Sequence, residues 1–335
     1  MGRLARAFAS AIALIHDKRA SSVQVGFVSV GTSCEERFDD SSTTRVENAI
    51  VFWHGMGDVG DASGTLAVMD AAVKTLGSET TCARSLRFGA SARADRMSGY
   101  TGDVDAQVGA ACDAMRADDA IGRARSVHVV GFSQGGQFMR ALVQRCGREL
   151  GVRTLVTLGG QHMGVDAVPG CGDPERASMA CQAMNDAASY ASASAWARRT
   201  VVQAQYFRDT STHARYNRYL ATNEFLPRIN NEGQANENAR NREALTSLER
   251  FVMFMFEEDD MVSPKESSWF GSRVVAGANR TKIIPYYENE SIYAALGLDA
   301  LDRDNRIEMR LIPGAQHMQF TVDWFVSEIV KKYWL

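Results

Sequence analysis

The sequence of 335 residues lacks the features that mark several large functional classes. Its formal net charge is only −3 and cationic residues are mixed with acidic ones, so no strongly basic surface for nucleic acid is expected. No apolar run reaches the length of a membrane-spanning helix; the closest, residues 251–256, has strand length. The six cysteines form no C-x-x-C motif and no histidine pair has zinc spacing, so we expect neither a metal nor a cofactor. Hydrophobic content of 45% is enough for a full core.

The N-terminal segment has two interpretations. Arg3 and Arg6 precede a short apolar run, residues 7–15, which has the length of the apolar region of a secretory signal peptide. An amphipathic or disordered leader is the alternative. Sequons at Asn279 and Asn289 predict N-glycosylation, and with a signal peptide they favour an oxidising compartment. Buried free cysteines in a cytosolic protein are the competing interpretation.

Apolar runs of strand length alternate with helical patterns after residue 46. Such alternation predicts βαβ units, and therefore an α/β fold whose mainly parallel sheet is flanked by helices. We expect residues 1–46 to be a leader, in which residues 23–30 form either a short strand or a poorly ordered segment, and residues 47–335 to form the folded domain. From about residue 164 to 245 the alternation stops, which predicts a large, mostly helical lid insertion. The predicted strands are residues 49–53, 85–88, 126–130, 154–158, 251–256 and 307–312.

The motif Gly-Phe-Ser-Gln-Gly, residues 131–135, lies between a predicted strand and a predicted helix. A serine at so sharp a turn is exposed for nucleophilic attack, and its flanking glycines prevent collisions with the neighbouring strand and helix. Such a motif is also common by chance. Its value therefore depends on whether the chain supplies a base and an acid for Ser133.

Chain order leaves one histidine as the base for Ser133. A serine at a strand–turn–helix junction predicts the α/β-hydrolase fold, in which the order along the chain is Ser, then Asp or Glu, then His. Only His317 follows both the serine and an acidic strand end, and it lies in a loop after the last predicted strand. The five excluded histidines are His16, His54, His128, His162 and His213. We expect His54 and His162 to have structural roles.

The acid that orients the histidine is expected just past a strand end. Four consecutive acidic residues, 257–260, follow the predicted strand at 251–256. The pattern alone does not choose among them.

The turn after the first predicted strand, residues 53–58, is expected to form part of an oxyanion hole. Its glycines let the backbone approach a substrate carbonyl, and we expect Met56 to supply one N–H. The second N–H belongs to Gln134, the residue after the serine. Residues 55–60 also spell G-x-G-x-x-G, but residues 88–90 supply no acid for a ribose, which argues against a dinucleotide site.

Several blocks of the chain resemble the lysosomal palmitoyl-protein thioesterases. The long blocks are residues 50–58 (IVFWHGMGD), 131–138 (GFSQGGQF) and 159–165 (GGQHMGV). Shorter ones are residues 202–206, 269–271 and 323–325. They run in order from about residue 49 to the C-terminus. Cytosolic acyl-protein thioesterases share the first two blocks but are shorter and lack the insertion and the third block.

The resemblance implies hydrolysis of long-chain acyl thioesters on the cysteines of S-palmitoylated proteins or peptides. It places the nucleophile at Ser133 and the base at His317, and it selects Asp259 because the family pattern Phe-x-x-Asp-x-x-Val-x-Pro aligns there. It also implies a lysosomal or secreted protein. Two disulfides are implied, Cys112–Cys146 and Cys171–Cys181; the second pair also has the spacing of a small disulfide loop.

The chain departs from the family pattern in places. Val59 and Gly60 replace an adjacent cysteine pair, Ser263 replaces an acid, and Cys34 and Cys82 have no assigned partner. Two alternatives to a thioesterase remain: a lipase or carboxylesterase that uses the same triad on oxygen esters, and a catalytically silent lipid-binding protein.

Overall fold

A computed structural model describes residues 23–31, 34, 46–172, 178–232, 239–276, 281–288 and 290–335. The two predicted glycosylation sites, Asn279 and Asn289, and the predicted signal at 7–15 lie outside these residues. Within the described part of the chain, no helix has the length and apolar character of a membrane span.

A seven-stranded sheet organises the chain in the order β1-β3-β2-β4-β5-β6-β9. β1 pairs antiparallel with β3, and all the other pairs are parallel. A separate antiparallel pair, β7 and β8, was not predicted from the sequence. The strands are β1 (Val25–Val30), β2 (Asn48–Trp53), β3 (Thr81–Phe88), β4 (Ser126–Phe132), β5 (Val152–Leu158), β6 (Arg250–Phe256), β7 (Ser272–Val275), β8 (Thr281–Ile284) and β9 (Ile307–Ile312).

Helices cover both faces of this sheet and fill the long connection between β5 and β6. Those of four or more residues in the described ranges are α1 (Ser63–Leu76), α2 (Ala92–Ser98), α3 (Val104–Arg116), α4 (Asp119–Gly122), α5 (Gln134–Leu142), α6 (Met179–Ser192), α7 (Ala195–Thr200), α8 (Val202–Gln205), α9 (His213–Thr222), α10 (Leu226–Ile229), α11 (Ala239–Thr246), α12 (Glu290–Leu296), α13 (Leu298–Arg303) and α14 (Val322–Phe325). π-turns at Val143–Gly147 and Val326–Val330 extend α5 and α14.

The central strands are apolar along their whole length because both of their faces are buried. In β4, Val127 and Val129 pack on one side of the sheet with Phe138 of α5. Val130 and Phe132 pack on the other side with Phe325 of α14. Side chains alternate across a strand, so a strand covered on both faces needs a continuous apolar run. For this reason the central strands are recognisable in the sequence as continuous apolar runs and not as alternating apolar and polar residues.

Residues 25–30 form a strand, which is one of the two interpretations that the sequence left open for residues 23–30. β1 forms the antiparallel edge of the sheet, with Val25 opposite Phe88 and Val30 opposite Ala83. A disulfide between Cys34 and Cys82 ties the chain that follows β1 to β3. This pairing was not predicted, whereas Cys112–Cys146 and Cys171–Cys181 are joined as the sequence suggested.

The insertion between β5 and β6 is mostly helical in its described residues after position 178, and a buried arginine fixes it to α5. The guanidinium of Arg140 is fully buried. It donates to the carbonyl of Ile229 at 2.8 Å, to Asn230 Oδ1 at 2.6 Å and to the carbonyl of His162 at 2.9 Å. Leaving such a charge unpaired costs about 3–5 kcal/mol, so these contacts hold the insertion firmly on the helix that follows Ser133.

Candidate active site

Ser133 occupies a strained turn between β4 and α5. Its backbone has φ 53° and ψ −121°, a conformation that side-chain-bearing residues rarely adopt. The tight turn depends on glycine at two neighbouring positions. A Cβ on Gly131 would lie 2.3 Å from the Gly135 carbonyl oxygen, and one on Gly135 would lie 2.5 Å from that of Trp53. Ser133 is 8% exposed in this turn.

Three predicted residues meet at the carboxyl edge of the parallel sheet. Ser133 follows β4, Asp259 follows β6 and His317 follows β9. The Ser133 hydroxyl lies 2.8 Å from His317 Nε2, and His317 Nδ1 lies 2.7 Å from Asp259 Oδ2. A carboxylate opposite Nδ1 favours the proton on that nitrogen, which leaves the Nε2 lone pair facing the serine hydroxyl.

Among the four consecutive acids, Asp259 alone contacts the imidazole. Its second oxygen, Oδ1, accepts the backbone N–H groups of Met261 at 2.9 Å and Val262 at 3.0 Å. These bonds fix the carboxylate, whose side chain is fully buried. Asp260 is exposed, and Glu257 accepts the Gly314 N–H at 2.7 Å, which supports the loop that carries His317.

The turn predicted to bind an oxyanion lies directly beside Ser133. A Cβ on Gly55 would come within 3.0 Å of the Ser133 Cβ, so glycine is needed for this close approach. Within the described residues, the backbone N–H of Met56 has no hydrogen-bond partner. Gln134 is the first residue of α5, and such an N–H has no intrahelical acceptor. Both N–H groups are therefore free to bind a ligand oxygen.

A buried carboxylate that the sequence analysis did not identify supports this turn from behind. Asp95 of α2 is completely buried. It accepts the Gly60 N–H at 2.7 Å and the Phe88 N–H at 2.8 Å, and it lies 3.4 Å from His54 Nε2. The other ring nitrogen of His54 donates to the Gly55 carbonyl at 2.8 Å. Burial acts to raise the pKa of Asp95, but His54 and the two N–H groups outweigh it and hold that pKa below its ordinary value.

The side chain of Gln134 connects the turn after Ser133 to the insertion. Its Nε2 donates to the Gly99 carbonyl at 3.0 Å. Its Oε1 accepts from Tyr206 Oη at 2.8 Å and from Gln203 Nε2 at 3.1 Å. Gln203 also donates to the Gly99 carbonyl at 2.8 Å. Gln203 and Tyr206 belong to the block 202–206, but nothing in the sequence signalled a contact with Gln134.

His162 takes the structural position that the sequence analysis gave it. It is fully buried and its Nε2 lies 3.0 Å from Thr157 Oγ1, while its ring stacks on Phe270 with centroids 4.8 Å apart. Burial, assisted by the charge of Arg140, lowers the pKa of His162 well below its usual value, so the imidazole is neutral. In the described ranges, no group of three or more His, Cys, Asp or Glu side chains is placed to hold a metal ion.

Three features define an α/β-hydrolase. The sheet is mainly parallel, a glycine-rich turn places Ser133 between a strand and a helix, and an acid and a histidine follow later strands. A more particular assignment follows from sequence comparison. A family model described as palmitoyl protein thioesterase matches residues 49–317, and the chain belongs to this family.

Two curated relatives carry the family name. Palmitoyl-protein thioesterase 1 of Caenorhabditis elegans is 32% identical over 85% of this chain and 91% of its own. The palmitoyl-protein thioesterase-dolichyl pyrophosphate phosphatase fusion 1 of Schizosaccharomyces pombe is also 32% identical over 85% of this chain, which spans only 43% of the fusion protein. Among solved structures, the chain is similar to Est1E from Butyrivibrio proteoclasticus with bound ferulic acid. The match covers 94% of this chain and 96% of the Est1E chain, with 11% sequence identity and a TM-score of 0.47.

Proposed function

We propose that the protein removes long-chain fatty acyl groups, such as palmitate, from S-acylated cysteines of proteins or peptides. The observation that carries the proposal is the hydrogen-bonded line from Ser133 through His317 to Asp259, in a chain of the palmitoyl protein thioesterase family. A serine hydroxyl is a poor nucleophile unless a base accepts its proton and an acid orients that base. This line supplies both.

The first half of the reaction forms an acyl-enzyme. The substrate carbonyl lies against the N–H groups of Met56 and Gln134, and His317 Nε2 takes the Ser133 proton as Oγ attacks. Asp259 stabilises the imidazolium that results. The two N–H groups stabilise the oxyanion, and one such donor typically contributes about 3–4 kcal/mol to the transition state. Collapse of the intermediate breaks the C–S bond, and the cysteine sulfur leaves with the proton from His317.

The second half releases the fatty acid. Water enters where the thiol left, His317 takes its proton, and the hydroxide attacks the acyl carbonyl in the same oxyanion hole. Ser133 then leaves as the alcohol. The insertion at about 164–245 is the proposed lid over the acyl chain. Burying each methylene contributes about 0.8 kcal/mol, which is sufficient to select long chains over short ones.

We also retain a lysosomal or secreted location as part of the proposal. The structure has three disulfides, Cys34–Cys82, Cys112–Cys146 and Cys171–Cys181. Disulfides persist in oxidising compartments and are rare in the cytosol, which supports this location over a cytosolic one.

The test compares palmitoyl esters that differ in one atom. A peptide is acylated on cysteine through sulfur, and its matched partner is acylated on serine through oxygen. We expect the larger kcat/KM with the thioester, and no turnover of either substrate by Ser133→Ala. A larger kcat/KM for the oxygen ester would favour a lipase or carboxylesterase. Saturable acyl binding without turnover, retained in Ser133→Ala, would favour a silent lipid-binding protein.

A further inference from the structure

Helix α6, Met179–Ser192, exposes its apolar residues to solvent. Four of the nine large hydrophobic side chains exposed in the described part of the chain lie between residues 179 and 196. Met179 is 86% exposed and Tyr190 is 78% exposed. At 100° per residue these two lie within about 20° of each other on the helix, and the exposed alanines fall beside them. The exposed residues of this helix are Met179, Ala180, Gln182, Ala183, Met184, Asp186, Ala187, Tyr190 and Ala191, so seven of the nine are Met, Ala or Tyr.

The inward face of α6 is small and polar instead. Asn185 donates to the Cys171 carbonyl at 3.0 Å and its Oδ1 accepts the Val168 N–H at 2.8 Å. Ser189 donates to Asp209, and Cys181 is joined to Cys171. An ordinary surface helix has the opposite arrangement, with its apolar stripe facing the core. The outward apolar face of α6 is therefore not required by the packing of this helix.

The charges around this face complement an anionic surface. Asp186 is the only acidic residue between positions 178 and 208. It lies on the exposed face, about 20° from Met179, and its charge is offset by Arg215 at 2.8 Å. Arg198 and Arg199 lie in α7. Arg199 is 3.8 Å from Glu224, but both side chains are largely exposed, and such pairs are weak and easily exchanged. Arg198 donates through Nε to the Ser194 carbonyl at 3.3 Å, which leaves its terminal nitrogens, like those of Arg199, able to bind phosphate groups.

Trp196, in α7 beside these arginines, is half exposed. Tryptophan and tyrosine with basic residues are the typical composition of a helix that lies in the headgroup region of a bilayer.

The size of the face argues against a second protein as its occupant. Helix α6 has 14 residues and is about 21 Å long. With a width of about 10 Å it offers roughly 200 Å², whereas a stable protein interface buries about 800 Å² on each partner. A single shallow helix face is, by contrast, enough for reversible binding to a bilayer when basic residues accompany it.

We propose that the outward face of α6, together with Trp196, Arg198 and Arg199, docks the protein on a lipid bilayer that contains anionic lipids. The inference goes beyond the proposed hydrolysis and does not depend on it. S-acyl groups hold their proteins at bilayers, so docking through this face brings the site to the surface where such substrates reside.

The test is co-sedimentation of the purified protein with vesicles, in a Ser133→Ala background so that lipid hydrolysis plays no part. Vesicles of phosphatidylcholine alone are compared with vesicles that also contain phosphatidylserine. We expect binding to be stronger with phosphatidylserine. The triple change Met179→Gln, Tyr190→Gln and Trp196→Gln should lower the partition coefficient about tenfold or more, because each side chain loses its apolar burial. The change Arg198→Gln with Arg199→Gln should abolish the preference for phosphatidylserine.

Tyr287 provides the matched control, because it is 61% exposed and lies outside this face. Tyr287→Gln should bind vesicles like the parent. Equal binding by the triple variant and the parent, or no vesicle binding by the parent, would overturn the proposal. A parent that is dimeric by light scattering, with a monomeric triple variant, would show instead that the face binds a second copy. Because binding is measured without turnover, failure of the proposed hydrolysis leaves this result unaffected.

Discussion

The described residues contain two His–Asp pairs, one in contact with Ser133 and one behind the turn at residues 53–58, and the two pairs have different roles. His317 and Asp259 are 2.7 Å apart, and the free imidazole nitrogen faces the Ser133 hydroxyl. His54 and Asp95 are 3.4 Å apart and completely buried, and the other imidazole nitrogen faces the Gly55 carbonyl. In both pairs the carboxylate also accepts two backbone N–H groups.

In each pair, the imidazole nitrogen that does not face the aspartate faces another atom, and that atom determines whether the pair can transfer a proton. A hydroxyl has a proton that an imidazole can take, whereas a carbonyl oxygen can only accept. The first pair can therefore move a proton, and the second can only hold the backbone in place. We infer that the second pair positions Gly55, and through it the N–H of Met56 next to Ser133.

The largest expected effect comes from the proton-moving pair. Asp259→Asn should lower kcat about 10⁴-fold, because the amide stabilises the wrong imidazole tautomer. KM for a palmitoyl thioester should change little. Asp260→Asn is the control, since Asp260 is exposed and makes no contact with His317. Steady-state kinetics of both variants measure kcat and KM. Loss of activity in Asp260→Asn with activity retained in Asp259→Asn would show that Asp260, and not Asp259, is the acid that orients His317.

An intermediate effect is expected from the positioning pair. Asp95→Asn should lower kcat about 10- to 100-fold, less than the complete loss of an oxyanion donor. It should also lower the free energy of unfolding by about 1–3 kcal/mol near neutral pH, because two buried backbone N–H groups lose the ionised carboxylate that accepts them. Urea unfolding and kinetics on the same samples measure both quantities. A stability loss with unchanged kcat would show that Asp95 supports the fold alone.

The stability difference between Asp95→Asn and the wild type should depend on pH. The pKa of Asp95 is below its ordinary value, so its contribution is present above about pH 4 and is lost as the pH falls through the lowered pKa. The two proteins should therefore converge in acid. A constant difference from neutral pH to about pH 3 would contradict an ionised Asp95.

The smallest effect is expected from the contact between the insertion and Gln134. Tyr206→Phe removes one of two donors to Gln134 Oε1, and a net hydrogen bond of about 1 kcal/mol corresponds to about a fivefold lower kcat. Tyr216→Phe is matched, because that hydroxyl donates to Glu232 at 3.0 Å and makes no contact with Gln134. We expect its kcat to be unchanged. Equal losses in both variants would indicate a general effect of the insertion on the fold.

Local pattern was sufficient to predict the strands of the parallel sheet and the residues that follow them. β2, β4, β5 and β6 are mainly apolar runs, whereas β9 alternates apolar residues with Glu308 and Arg310. Because these strands are parallel, the residues that follow them, including Ser133 and His317, meet at one edge. β7 and β8 were missed because each has only four residues and is only partly buried.

The positioning contacts were missed for a different reason. Asp95 lies 41 residues after His54 in a polar stretch of α2, and its neighbours give it no distinguishing pattern. Gln203 and Tyr206 lie about 70 residues after Gln134, within a part of the chain whose fold no periodicity determined. Contacts of this kind depend on how separate elements pack, which one sequence does not reveal.

The most direct test of the account is to quench the enzyme in acid during turnover of a palmitoyl thioester and to locate any acyl group by mass spectrometry. We expect one palmitoyl group per chain, on the peptide that contains Ser133, and none in Ser133→Ala. A palmitoyl group on another residue, or turnover that persists in Ser133→Ala, would contradict it.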